Sequence, residues 1–144
     1  MPTKVAVTKN CCVLKAKMKN ILKLSNDEAC SILKKITDAE AEEWDIHFIE
    51  DEGKLWLDEE SPIVCDGLNL RLFVGTEINH PNYMFPNCEI IGLFGDDEFA
   101  WVCRQDDGGI VEVDEYDLKK GVRESDLVFP TISHYLLFVL NYKG

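Results

Sequence analysis

The sequence has no long hydrophobic run and no leader-like start. Its longest apolar run, Leu136–Leu140, has five residues, whereas a membrane span needs about 20. The first residues contain neither an apolar stretch nor a small-residue cleavage site, so they do not resemble a signal peptide. We therefore expect a cytoplasmic protein that does not associate with membranes.

The common signatures of cofactor, metal and catalytic sites are also missing. There is no Gly-x-Gly-x-x-Gly pattern, no P-loop, no nucleophile elbow around a serine and no Cys-x-x-Cys pair. The acidic clusters fall in turns, where solvent keeps the carboxylates ionised, and none matches the calcium-loop pattern. We therefore expect no cofactor, no metal and no catalytic residue, and we predict that the protein is not an enzyme.

Six cysteines are present, at positions 11, 12, 30, 65, 88 and 103. An even number of cysteines does not indicate disulfides in a chain that lacks a secretion signal and is long enough to fold without cross-links. We expect reduced thiols that pack as small apolar side chains.

Basic residues are scarce in most of the chain. The sequence has 27 acidic and 15 basic residues and a net charge of −12, but residues 1–24 contain six lysines and no acid. Residues 25–144 therefore carry a charge of −18. A chain this acidic lacks the basic face that phosphate contacts need, so we expect no nucleic-acid binding. A basic protein partner would suit it better.

Length and a hydrophobic content of 46% suit a single domain over residues 1–144. We divide it into a basic, helical segment at 1–24 and an acidic α+β body at 25–144. Ser25 and Glu28 match a capping box, which predicts a helix from residue 26 to about 36. Apolar residues repeat every three or four positions over 132–140 and predict a C-terminal helix.

Between these helices, apolar residues recur at every second position instead of every third or fourth. Residues 44–48 and 54–57 flank the turn at 51–53 and predict a hairpin. Further alternating runs predict strands at 68–74, 89–93, 99–104 and 110–113. Because strands follow one another without intervening helices, we predict an α+β fold with an antiparallel sheet of about five to six short strands.

Aromatic and acidic residues supply the candidate binding positions. Trp44, Trp56 and Trp101 could anchor an interface, but strand tryptophans more often pack in the core. Phe73 is favoured as an interface residue because it lies on the polar side of its strand. The predicted partner-binding residues are Phe73, Tyr83, Asp96, Asp97, Glu98, Asp106 and Asp107.

The segment 89–140 resembles the SUKH superfamily, which joins fungal regulators of cell-wall glucan synthesis to many bacterial immunity proteins. The resemblance lies in the run from Ile90 to Cys103, with its acidic turn between apolar strands, in Gly109–Val113 and in the closing helix at Ile132–Phe138. It implies an α+β domain that binds proteins, often a toxin. The family has no shared catalytic residues, so the resemblance supplies none.

The function expected from these observations is protein binding without catalysis, by an immunity protein or regulator that occludes a basic toxin or regulated enzyme. Two alternatives stay open. A secretion-chaperone-like acidic adaptor would form a homodimer and hold an extended client. A small hydrolase would use His80 or His134 with a cysteine.

Overall fold

The computed structural model describes residues 19–41, 44–72, 88–95, 99–114 and 127–143. Helix α1 spans Asn26–Ala39 and helix α2 spans Ile132–Lys143. The strands are β1 Phe48–Asp51, β2 Lys54–Leu57, β3 Ile63–Cys65, β4 Leu70–Leu72, β5 Cys88–Gly95, β6 Phe99–Gln105 and β7 Ile110–Asp114. The prediction of an α+β fold with antiparallel sheets and helices towards both ends of the chain is confirmed.

The strands form two antiparallel sheets. Strands β3 to β7 lie side by side in chain order and make a five-stranded meander, while β1 and β2 form a separate hairpin. An isolated bridge between Asp45 and Val64 ties the chain entering the hairpin to β3. A second bridge, between Ile110 and Phe129, places the segment before α2 along β7. The hairpin and this segment therefore lie at opposite edges of the meander.

Helix α1 begins at the predicted cap. The Ser25 hydroxyl oxygen accepts a hydrogen bond from the Glu28 backbone N–H at 3.2 Å, which satisfies a donor that the first turn leaves open. The helix packs against α2 and β2. Its buried residues include Cys30 and Leu33, whereas Ile32 is 39% exposed. Ile32 is exposed because the buried side of the helix is formed by Ala29, Cys30, Leu33 and Thr37.

Helix α2 is the central element of the core. Its predicted apolar positions Ile132, Tyr135, Leu136, Val139 and Leu140 are all buried. Ser133, His134 and Leu137 are buried as well, so both sides of the helix are covered. The helix starts two residues after Pro130, because Thr131 supplies the cap. No helix within the described residues is both long and apolar enough to cross a membrane.

Strand β5 contains a β-bulge and contributes buried residues to both faces of the meander. Pairing between β5 and β6 shifts at Ile91, which has no partner of its own in β6. Ile91 lies in the core beneath the helices, whereas its neighbour Ile90 lies in a second cluster with Cys103, Val111 and Val113 on the other face.

Candidate protein-binding face

The β1–β2 hairpin is closed by a two-residue turn. Glu52 and Gly53 both have positive φ values, 52° and 76°, as a type I′ turn requires. This turn fixes the register so that Ile49 pairs with Trp56 and Phe48 pairs with Leu57. Alternate residues of the two strands therefore point to opposite sides of the hairpin.

One side of the hairpin belongs to the core and the other faces solvent. Leu57 is buried, and Phe48 and Leu55 pack against the same core cluster. On the opposite side Ile49 and Trp56 are 48% and 41% exposed, although both are large apolar residues. We call this outward side the hairpin face. It is formed by Asp45, His47, Ile49, Asp51, Lys54 and Trp56.

Acidic residues are concentrated in the hairpin segment, and we call them the acidic border. Residues 44–60 contain seven acidic residues and a single lysine, Lys54, which lies directly opposite Asp51 on the hairpin face. The His47 ring nitrogen Nε2 lies 2.8 Å from a carboxylate oxygen of Asp45, with both side chains largely exposed. Glu59 pairs with Arg104 of β6 at 3.0 Å. The hairpin face therefore combines an exposed tryptophan and isoleucine with a strongly acidic border.

Trp56 is the exposed member of the three tryptophans. Trp44 is buried in the main core, and Trp101 packs against the cluster on the second face of the meander. A tryptophan buries a large apolar area when a partner covers it, and tryptophan is enriched among the residues that dominate binding energy. Of the three, Trp56 is the one whose side chain a partner can reach.

Of the predicted partner-binding residues, Asp106 and Asp107 are among the described residues. Phe73, Tyr83 and the acidic segment 96–98 are outside the described residues. Asp106 and Asp107 form the β6–β7 turn, where an Asp107 carboxylate oxygen accepts the Gly109 backbone N–H at 2.9 Å. This turn joins β6 to β7 at the edge of the meander. Their role in binding stays a prediction.

His134, one of the two histidines of the hydrolase alternative, is occupied by structural hydrogen bonds. Its Nε2 lies 2.8 Å from the backbone carbonyl of Leu24, and because a carbonyl only accepts, Nε2 carries the proton. Nδ1 then accepts a hydrogen bond from the Thr131 hydroxyl at 2.6 Å. Both ring nitrogens are engaged, which leaves His80, outside the described residues, as the other candidate base.

The buried thiols are poorly suited to nucleophilic chemistry. Cys30, Cys65 and Cys103 are buried and do not form disulfides. Cys30 lies 2.9 Å from the Ser133 hydroxyl, between α1 and α2, and burial raises the pKa of its thiol. The thiolate is the reactive form of cysteine, so a raised pKa lowers its reactivity. Within the described ranges, no group of three His, Cys, Asp or Glu side chains is arranged to hold a metal ion.

One acidic residue of the meander is bonded to the central helix. The Tyr135 hydroxyl of α2 donates a hydrogen bond to a Glu112 carboxylate oxygen of β7 at 2.8 Å. Burial raises the pKa of Glu112, and the nearby Asp114 charge raises it further, while the hydrogen bond from Tyr135 works in the opposite direction. Burial also raises the pKa of Tyr135, so the phenol stays protonated and remains the donor.

Comparison of the chain with protein-family models, with curated proteins and with solved structures finds no significant match. The function has to be inferred from the described residues themselves. Among them, the hairpin face combines exposed apolar side chains with a concentration of charge of one sign.

Proposed function

We propose that this protein is a binding domain that engages a basic partner protein through the hairpin face. Its mode of action is occlusion, in which the domain covers the basic working site of a toxin or of a regulated enzyme. The observation that carries the proposal is the exposed Ile49–Trp56 pair at the centre of an acidic hairpin. The resemblance of residues 89–140 to the SUKH superfamily supports an immunity protein or a regulator of glucan synthesis as the biological setting.

The two components of the hairpin face have different roles in binding. Trp56 and Ile49 give affinity because a partner that covers them removes apolar area from water. The surrounding carboxylates attract a basic surface from a distance and exclude acidic competitors, which mainly affects the association rate and the specificity. A partner whose own function requires a positively charged site, such as a nuclease, matches both components.

The same charges disfavour a second copy of this chain as the occupant. Two hairpin faces brought together would place acidic borders against each other, and like charges in contact oppose association. The secretion-chaperone alternative requires a homodimer, and this face does not favour one. A basic partner neutralises the border and is therefore the better occupant.

The test uses the full chain and a matched pair of variants. Proteins retained from native host lysate at low salt are identified by mass spectrometry, and the dominant basic protein is then purified and titrated directly by calorimetry. Trp56→Ala removes the centre of the hairpin face. Leu127→Ala is the control, because Leu127 is similarly exposed, at 37%, beside the far edge of the meander. Leu127 lies outside the hairpin and its acidic border.

We expect Trp56→Ala to weaken binding about 30-fold or more, which corresponds to a hot-spot loss of about 2 kcal/mol. Leu127→Ala should change the affinity less than about twofold. Binding of the unaltered protein should also weaken as salt is raised. Equal affinities of the two variants would show that the hairpin face is not the interface. Salt-independent binding would show that charge does not select the partner.

A further inference from the structure

We infer that the side chain that a partner places against Trp56 is an arginine, so that the hairpin face selects arginine-bearing basic surfaces over lysine-bearing ones. This inference rests on the proposed function and specifies the partner at the same site. It depends on the neighbours of Trp56 on the hairpin face, which the register of β1 and β2 fixes.

The strand register places an apolar, an acidic and an imidazole side chain of β1 around the indole, and Lys54 lies two residues from Trp56 on β2 itself. Ile49 lies directly opposite Trp56 on β1. Asp51 and His47 lie two residues to either side of Ile49, and are therefore the diagonal cross-strand neighbours of Trp56 on the same side of the hairpin. Diagonal neighbours are about 7–8 Å apart, which long side chains span. The indole thus has an apolar neighbour, and a carboxylate lies within reach of a group stacked on it.

An arginine side chain matches the indole, Ile49 and Asp51 at once. Its planar guanidinium stacks on an indole face, where the ring quadrupole attracts the positive charge. Its methylene groups can lie along Ile49, as long basic side chains commonly do on apolar surface. Its forked N–H groups can donate to the carboxylate of Asp51 in a bidentate arrangement.

Lysine matches this arrangement less well, for two reasons. An ammonium group is compact and strongly hydrated, so it loses more hydration when it leaves water to sit on an indole. It also lacks the planar fork that satisfies a carboxylate and an aromatic face together. Long-range attraction by the acidic border treats the two residues alike, so any preference must come from contact with Trp56 and its neighbours.

The test compares an oligo-arginine with an oligo-lysine peptide of equal length, each titrated against the full chain at one salt concentration by fluorescence anisotropy. We expect the oligo-arginine peptide to bind about two- to fivefold more tightly, the ratio that a cation–π contact at an exposed site gives. Trp56→Leu keeps an apolar side chain but removes the ring, and should bring the ratio to about one. Trp56→Phe should keep part of the preference, because a phenyl ring retains a π face.

Leu127→Ala serves as the control here too, and should leave the arginine preference unchanged. A preference that survives in Trp56→Leu, equal binding of the two peptides, or failure of the oligo-arginine peptide to bind would each overturn the inference. The partner titration with Trp56→Ala tests the proposed function independently of these peptide results. If that titration shows no dependence on Trp56, the proposed interface fails whatever the peptides show.

Discussion

At the residue scale, Glu112 and Tyr135 link the edge of the meander to the central helix. The carboxylate gains one hydrogen bond from the phenol but loses hydration, and burial raises its pKa. An acid whose pKa is higher in the folded state binds more protons when folded. The free energy of unfolding therefore falls as the pH rises from the unfolded pKa, about 4.3, through the higher folded value.

Glu112→Gln should remove this pH-dependent loss of stability. The amide oxygen of glutamine can still accept the Tyr135 hydrogen bond, but the side chain carries no charge to desolvate. We expect the variant to unfold at a higher urea concentration than the unaltered protein at pH 7, and the difference to vanish below about pH 4, where an unfolded glutamate is protonated too. An equal gain in stability at both pH values would contradict the assignment.

The companion variant Tyr135→Phe removes the donor and keeps the ring. It should lower the free energy of unfolding by about 1–3 kcal/mol at pH 7, since it leaves the Glu112 carboxylate without its partner. Combining Tyr135→Phe with Glu112→Gln should recover part of this loss. Urea denaturation of the two single variants and the double variant measures the coupling between the two residues.

The sequence predicted the strand and the helix that contain these two residues but not the contact between them. The spacing over 132–140 predicted that Tyr135 is buried, and the alternation at 110–113 predicted a strand. Neither pattern shows which strand residue faces the helix. The two positions are 23 residues apart, and their meeting depends on how the helix crosses the sheet.

At the element scale, the bulge in β5 requires a glycine. A Cβ atom at Gly92 would lie 2.4 Å from the backbone carbonyl oxygen of Arg71 in β4. Real Cβ atoms do not approach a backbone oxygen this closely, and the oxygen cannot move without disturbing the pairing of β4 with β5. The close approach of two strands beside the bulge therefore fixes the residue type at this position.

Gly92→Ala should consequently be far more damaging than the same change at Gly53. We expect it to lower the free energy of unfolding by about 3 kcal/mol or more, or to prevent folding. Gly53→Ala adds a Cβ with no atom within 4 Å, so its cost is limited to the positive φ of 76°, about 1 kcal/mol. Similar midpoints for the two variants in thermal unfolding would show that β4 and β5 can separate at little cost.

Most strands were predictable because their alternation is long or their turns are clear. The runs at 99–104 and 110–113 lie within β6 and β7, and the turn at 51–53 correctly predicted the hairpin. Strand β3 was missed, since Ile63–Cys65 is too short to show a period. The chain at 44–47 alternates as predicted, but β1 itself begins at Phe48.

The hairpin face was only partly predictable. Trp56 was recognised as a possible anchor, and the acids beside it were recognised as exposed. The signal that was overlooked is Ile49, which falls on the same side as the polar residues Asp45 and His47. Phe73 was chosen as a binding residue for the same reason, because it is a large apolar residue on the polar side of its strand. The register that places Ile49 opposite Trp56 comes from the type I′ turn at Glu52 and Gly53.

At the scale of the whole molecule, the basic N-terminal segment and the acidic body are in direct contact. Residues 19–22 are helical, and Ile21 is buried in the main core. The carbonyl of Leu24 then accepts the hydrogen bond from His134 of α2. The described part of the N-terminal segment, residues 19–24, thus contributes an apolar side chain and a backbone acceptor to the core.

Ile21→Ala should therefore destabilise the whole domain. Removing a buried isoleucine side chain leaves a cavity, and we expect the free energy of unfolding to fall by about 2–5 kcal/mol. Ile32→Ala is the matched control in α1, because Ile32 is 39% exposed, and should change stability by less than about 0.5 kcal/mol. Urea denaturation of both variants, followed by circular dichroism, checks the difference. Equal effects would mean that the N-terminal segment does not share the core.

The bond between Leu24 and His134 joins residues 110 positions apart, and it has a consequence during synthesis on the ribosome. The meander can form as its strands emerge, since each pairs with the next along the chain. Helix α1 is made early but packs against α2, which is made after every strand. Until α2 is synthesised, the apolar side of α1 lacks this packing partner. The nascent chain therefore exposes apolar helix surface for most of its translation, which makes it a substrate for chaperones that bind such surfaces.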